Sequence, residues 1–162
     1  MGIVEELSAC LWEERAALEQ LVFRLEQENL VLAAGRHRLL DPSTAEVATA
    51  SAEVDRIEQR RLAITASVGE HLGLGPDATL ETIADTVDDP LADAMRVHRQ
   101  TLRGLVRLVT GLVESNRELI ARGLAAATDA LALVGAAPPG AYTASGGTRG
   151  GIGGALMLDA RA

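Results

Sequence analysis

A seven-residue repeat of apolar side chains runs through the first forty residues and constrains the fold more than any other feature. The main row comprises Val4, Leu11, Leu18, Leu25, Leu32 and Leu39. A companion row three residues further on is only half apolar and comprises Leu7, Glu14, Leu21, Glu28 and Gly35. Such a repeat is typical of a coiled-coil or bundle helix. It predicts one long helix at the start of the chain.

Turn-forming residues divide the chain after this first helix. Asp41 and Pro42 predict the cap and the first position of a second helix, and the Gly-Leu-Gly-Pro-Asp segment at 73–77 ends it. Thr79 predicts the cap of a short helix, which Pro90 closes. The sequence therefore predicts an all-α fold, an antiparallel bundle or coiled coil of long helices with one short helix. The predicted helices span residues 3–40, 42–72, 79–88 and 91–134.

Composition supports helices and separates the end of the chain from the rest. Hydrophobic residues make up 48% of the chain and aromatic residues 2%, and the apolar content is mostly Ala, Leu and Val. Ala and Leu are strong helix formers. From residue 135 onward Gly, Ala, Pro, Ser and Thr dominate, which is typical of a linker. We therefore expect a helical domain over residues 1–134 and a flexible tail over residues 135–162.

The net charge and the hydropathy of the chain limit the classes of partner that it can bind. The formal net charge is −8, and all 15 basic side chains are Arg. An acidic chain without a basic block is a poor ligand for nucleic acid or an anionic membrane, since both depend on cationic contacts. No stretch reaches the roughly 18 apolar residues of a membrane span, and the N-terminus lacks a signal-peptide pattern. Cys10 is the only cysteine, so no intramolecular disulfide forms. These observations predict a cytoplasmic protein without membrane insertion.

The sequence offers no arrangement of residues for catalysis. His37, His71 and His98 fall on three different predicted helices without metal-ligand spacing, and the glycine pairs lack the Lys-Ser/Thr of a phosphate loop. We therefore predict no catalytic, metal or cofactor site. A phosphotransfer histidine at His98 is the one alternative, but its row position favours a packed side chain.

Asn116 and Trp12 each allow two interpretations. Asn116 lies in an apolar row of the last helix, where it could fix helix register or, in a less regular helix, face solvent. Trp12 could pack at the bundle margin or serve as an exposed anchor for a partner.

Two segments of the chain resemble the FlgN-type flagellar export chaperones. Residues 11–38, which begin Leu-Trp-Glu-Glu-Arg and end Ala-Ala-Gly-Arg-His-Arg, resemble the N-terminal helix of that family. Residues 116–124, Asn-Arg-Glu-Leu-Ile-Ala-Arg-Gly-Leu, resemble its last helix. The order of helices and a lone Tyr142 soon after the last helix also agree with the family. The resemblance covers roughly residues 1–145.

The resemblance implies a chaperone that binds hook–filament junction proteins in the bacterial cytosol. It implies that the chaperone covers an amphipathic C-terminal helix of this cargo, prevents premature assembly and delivers the cargo to the flagellar type III export gate. Helix-in-groove binding needs a wide apolar face, and the last helix widens past residue 115. We expect cargo at Leu112, Leu119, Ile120, Leu124 and Leu131. The resemblance also implies that Tyr142 docks the chaperone on the gate, while the alternative is that Tyr142 is simply the one tyrosine of a linker. A structural coiled-coil protein that forms a homodimer is the main alternative.

Overall fold

The fold is all-α, as the sequence predicts. A computed structural model of the protein describes residues 2–135. The four α-helices in this range are α1 (Ile3–Ala33), α2 (Leu40–His71), α3 (Leu80–Ala84) and α4 (Leu91–Gly135), and a 3-10 helix (His37–Leu39) joins the first two. Gly135, the first residue of the predicted tail, ends α4, and the rest of that tail, with Tyr142 and the apolar residues Ile152 and 156–158, lies outside the described residues.

The first helix is the centre of the bundle. Contacts between Glu13 and Arg60 and between Arg24 and Glu46 show that α1 and α2 run antiparallel. Trp12 meets His98, and Asn29 meets Asn116, so α4 runs parallel to α1 on another side. No Cα atom of α2 comes within 8 Å of one in α4 in the described part of the chain. The helix with the heptad repeat, α1, therefore lies between α2 and α4 and contacts both of them.

The hydrophobic core lies at the end of the bundle where α1 and α4 begin and α2 ends. There the long helices and α3 share one cluster of buried side chains. The most deeply buried large side chains are Leu7, Cys10, Leu11, Val68, Ile83 and Met95. Because Leu7 and Leu11 belong to the two predicted rows, the heptad repeat correctly identifies the buried face of α1.

The predicted end of the first helix at residue 40 is wrong, because α1 ends at Ala33. Gly35 adopts a left-handed conformation with φ of 62°. The Arg36 N–H donates to the Val31 carbonyl at 3.0 Å, and the Gly35 N–H donates to the Leu32 carbonyl at 3.1 Å. This paired arrangement is a Schellman motif, which stops a helix at a glycine. The apolar repeat continues past Gly35 although the helix does not.

The predicted start of the second helix is displaced by two residues. Leu40 opens α2, so Asp41 lies in its first turn and is not the cap. Pro42 is tolerated there because the first N–H groups of a helix have no intrahelical partner. The short helix ends at Ala84, four residues before the predicted end. Its cap is confirmed, since Thr79 accepts from the Thr82 N–H at 3.2 Å.

The last turn of α2 packs closely against the loop after it. A Cβ atom on Gly69 would overlap the Gly75 carbonyl oxygen and lie 2.6 Å from the Ala78 Cβ. We expect Gly69→Ala to lower the free energy of unfolding by about 2 kcal/mol, because backbone in a packed turn cannot move away cheaply. Urea unfolding followed by circular dichroism measures this change.

A matched control for Gly69 lies in α4. A Cβ on Gly104 would meet nothing within 4 Å, so Gly104→Ala should raise the free energy of unfolding by roughly 0.5–1 kcal/mol through helix propensity alone. Equal effects of the two substitutions would contradict the close packing at Gly69.

Candidate functional site

A network of polar side chains joins all three long helices near the end of α1. Asn116 of α4 is 3% exposed. Its side-chain NH₂ donates to the Leu25 carbonyl at 3.1 Å and to the Glu28 carboxylate at 2.9 Å. Its oxygen accepts from the Asn29 NH₂ at 2.7 Å, and Thr44 of α2 donates to the other Glu28 oxygen at 2.9 Å. The network thus includes hydrogen-bonded side chains from all three long helices. Of the two interpretations of Asn116, the structure supports a buried residue in the apolar row and not one that faces solvent.

A second polar pair interrupts the apolar rows closer to the core. Glu14 of α1 and Arg61 of α2 are both largely buried, and the Arg61 Nε lies 2.8 Å from a Glu14 carboxylate oxygen. Burial raises the pKa of the Glu14 carboxyl, and the Arg61 guanidinium opposes that rise. Glu14 interrupts the companion row of α1, and Arg61 interrupts a seven-residue row of α2 formed by Val47, Val54 and Val68. The fold places these two polar residues opposite each other.

Beyond Asn116 the last helix leaves the bundle. Asn116 is the last buried residue of α4, and every described residue from Ala121 to Gly135 is exposed. This free end, residues 121–135, is about 22 Å long at the usual rise per residue. The Asn116 network is therefore the last buried contact between α4 and α1, a little more than one helical turn before the free end begins.

The free end and the turn before it carry large apolar side chains on one stripe. Ile120 is 49% exposed, Leu124 68% and Leu131 73%. Their spacing of four and seven residues places them on the same helix face, with Ala127 and Val134 in line. Monomeric proteins rarely leave such a continuous apolar surface without a partner. This stripe is the candidate binding surface.

An apolar notch lies at the base of the stripe. It has a volume of about 280 Å³ and is formed where α4 passes the corner between α1 and α2. Its apolar lining residues are Val31, Leu32, Leu40, Leu119, Ile120 and Leu124, and Gly35, Arg36, His37 and Gly123 complete the wall. The notch is large enough to receive one or two aliphatic side chains of a bound helix.

The structure brings together some of the predicted binding residues and separates others. Leu119, Ile120 and Leu124 meet at the notch. Leu112 is half-buried on the stretch of α4 that packs on α1, about 10 Å before Leu119 along the helix. Leu131 lies about 10 Å beyond Leu124 on the free end.

Sequence reasoning missed the other wall of the notch. Val31, Leu32 and Leu40 line it, but the prediction placed Leu32 inside a helix continuing to residue 40. The signal that could have found them is Gly35, because a helix stopped there exposes its last apolar turn and creates a corner.

The remaining candidate residues lie in the packed part of the bundle. His98 is buried, and its ring meets Trp12 edge to face with a centroid distance of 4.7 Å. Burial lowers the pKa of His98, and a buried imidazole cannot reach a phosphodonor. Trp12 is half exposed at the bundle margin, with the Arg15 guanidinium 5.3 Å from its ring centroid.

Comparisons with known proteins decide the family. The family model described as FlgN protein matches residues 1–150, which is most of the chain and includes α1 to α4. The chain belongs to the FlgN family. No curated protein and no solved structure matched the chain.

Membership in the FlgN family makes this chain a flagellar export chaperone, and the family is not one of enzymes. The matched range includes Tyr142, which lies outside the described residues. Among residues 2–135, no three His, Cys, Asp or Glu side chains gather as a metal site requires. None of the helices described in this FlgN-family chain is long and apolar enough to cross a membrane.

Proposed function

We propose that this chaperone binds hook–filament junction proteins in the cytoplasm, keeps them from assembling prematurely and delivers them to the flagellar export gate. The observation that carries the proposal is the apolar stripe at Ile120, Leu124 and Leu131, which the bundle leaves exposed. Burying one large aliphatic side chain contributes about 1.5–3 kcal/mol. A stripe of several such side chains therefore supports reversible binding without nucleotide hydrolysis.

The geometry favours an amphipathic helix of the cargo as the ligand. Such a helix presents apolar side chains at i, i+3, i+4 and i+7. The stripe offers matching positions at Ile120, Leu124, Ala127 and Leu131, and the notch can receive an anchor at its base. Leu119 contributes to the notch floor, and Leu112 extends the apolar face toward the bundle. We propose all five predicted leucine and isoleucine positions as the cargo site.

Delivery requires a contact apart from the cargo site. We propose that Tyr142 docks the loaded chaperone on the export gate, as the family resemblance implies. In the sequence Tyr142 follows all five proposed cargo positions. Replacing Tyr142 with Ala should leave cargo affinity unchanged and reduce export of the junction protein.

Light scattering during gel filtration tests the proposed function directly. The chain alone, a purified junction protein alone and their mixture are compared at low micromolar concentration. We expect a monomeric chain that forms a one-to-one complex with the junction protein. A stable homodimer that forms no complex with the junction protein would instead support the structural coiled-coil alternative.

A glycine in the notch offers a sharper test of the binding mode. A Cβ on Gly123 would meet nothing within 4 Å, so Gly123→Leu should fill the notch without disturbing the bundle. We expect at least a tenfold loss of affinity for the junction protein, because the filled notch excludes the cargo anchor. Isothermal titration calorimetry measures the affinity.

The matched control is Gly111→Leu. Gly111 is also an exposed glycine of α4 with open space around its Cβ, but it lies outside the notch. Wild-type affinity in Gly123→Leu would show that cargo does not use the notch.

A further inference from the structure

The first half of α4 carries a row of arginines. Arg96, Arg99, Arg103 and Arg107 follow one another at intervals of three or four residues, so their side chains lie on one face of the helix. From Ala94 to Val113 the helix contains no Asp or Glu. In a chain with a net charge of −8, this arginine row is a local cationic surface.

The beginning of the arginine row already binds carboxylates within the protein. The Arg99 guanidinium lies 2.6 Å from the Glu81 carboxylate, and the Arg96 guanidinium lies 3.2 Å from the Asp85 carboxylate. Glu81 lies in α3, and Asp85 follows the end of α3 four residues later. The row therefore accepts carboxylates presented one helical turn apart.

The rest of the arginine row has no acidic partner in the described residues. No carboxylate from residues 2–135 lies within 4.0 Å of the Arg103 or Arg107 guanidinium, and both side chains are exposed. They line a groove of about 460 Å³ between α3 and α4, together with Leu80, Gln100 and the two ion pairs Arg99–Glu81 and Arg96–Asp85. Leu80 adds an apolar wall to this cationic groove.

We propose that Arg103, Arg107 and the groove beside Leu80 form a docking site for an acidic helical segment of a partner protein. Carboxylates of such a segment would pair with arginines further along α4, as Glu81 and Asp85 do at the beginning of the row. Guanidinium groups favour carboxylates because the paired N–H donors match the two oxygens. Nucleic acid fits less well, since the overall charge of the chain is repulsive to it.

The proposed docking site is separate from the apolar stripe. Arg107 precedes Leu112, the first proposed cargo residue, by five residues, which places the two side chains about 140° apart around the helix, and it precedes Ile120 by 13 residues, about 20 Å along the helix. An acidic partner could therefore bind while cargo occupies the stripe. The site does not depend on the proposed cargo, and each can be tested without the other.

Fluorescence anisotropy with a labelled synthetic peptide tests the docking site. The probe is an alanine-based helical peptide with Glu residues four apart, and its twin carries Gln in their place. We expect saturable binding of the Glu peptide at low salt, no binding of the Gln twin and loss of affinity as salt increases. Arg103→Ala with Arg107→Ala should weaken binding at least tenfold without changing the thermal midpoint.

The control removes two positive charges elsewhere. Arg38→Ala with Arg56→Ala alters exposed arginines outside the row and should bind the Glu peptide within about twofold of wild type. Equal weakening by the two double variants, or no binding of the Glu peptide to the wild-type chain, would overturn the proposal. So would a single-stranded DNA oligonucleotide that displaces the peptide at lower concentration through Arg103 and Arg107.

Discussion

Replacing Ile120 and Leu124 together with Asp is expected to weaken binding of a hook–filament junction protein by roughly a hundredfold or more. Apolar anchors at the centre of an interface contribute about 2 kcal/mol or more each, and each 1.4 kcal/mol is tenfold in affinity. A carboxylate at either position would also lose its hydration against an apolar cargo helix. Titration calorimetry with the purified junction protein measures the loss.

The same double variant should fold as well as the wild type. Ile120 is 49% exposed and Leu124 68%, so neither substitution places a charge in the core. The matched control is Leu62→Asp with Val97→Asp, which changes two similarly exposed side chains away from the stripe. The control should retain cargo affinity within about threefold. Equal loss in both double variants would show that the stripe is not the specific site.

Asn116→Leu is expected to lower the free energy of unfolding by about 3 kcal/mol. The substitution leaves one oxygen of the buried Glu28 carboxylate without its donor, and an unpaired buried charged group costs more than an unpaired neutral one. For a domain of this size the loss corresponds to roughly 6–12 °C in thermal midpoint. Differential scanning calorimetry measures it.

A double-mutant cycle separates the network from the general cost of changing a buried side chain. Adding Glu28→Leu to Asn116→Leu removes both partners, so the double variant should be more stable than the sum of the single losses predicts. Thr44, the other partner of Glu28, is exposed and can bind water instead. Strict additivity of the two losses would show that Asn116 and Glu28 do not stabilise each other.

The sequence predicts the centre of this fold well because the buried side chains of a helix recur at regular intervals in the sequence. The rows through Leu7, Leu11 and Leu18 become the buried face of α1. The glycine at 73 is recognisable in sequence as a stop, and α2 indeed ends with a Schellman motif there. The equivalent stop at Gly35 is hidden because Leu32 and Leu39 continue the repeat on both sides of it.

The polar breaks in the apolar rows mark contacts between helices. Glu14 faces Arg61, and Glu28 faces Asn116, so each break on one helix has its complement on a neighbour. Pairing such breaks requires the helix order and register, which the sequence alone does not give. The widened face of the last helix is visible in sequence, but the notch depends on where α1 ends.

Hydrogen–deuterium exchange tests most directly the claim that the free end of α4 holds the cargo. Residues 121–135 are all exposed, and of these Gly123 and Leu124 line the notch, so the amides beyond Leu124 should exchange quickly in the chaperone alone. On addition of a junction protein, we expect exchange to slow over residues 119–135, with little change in α2. Slowed exchange confined to α1 and α2, with residues 119–135 unchanged in the complex, would contradict that claim.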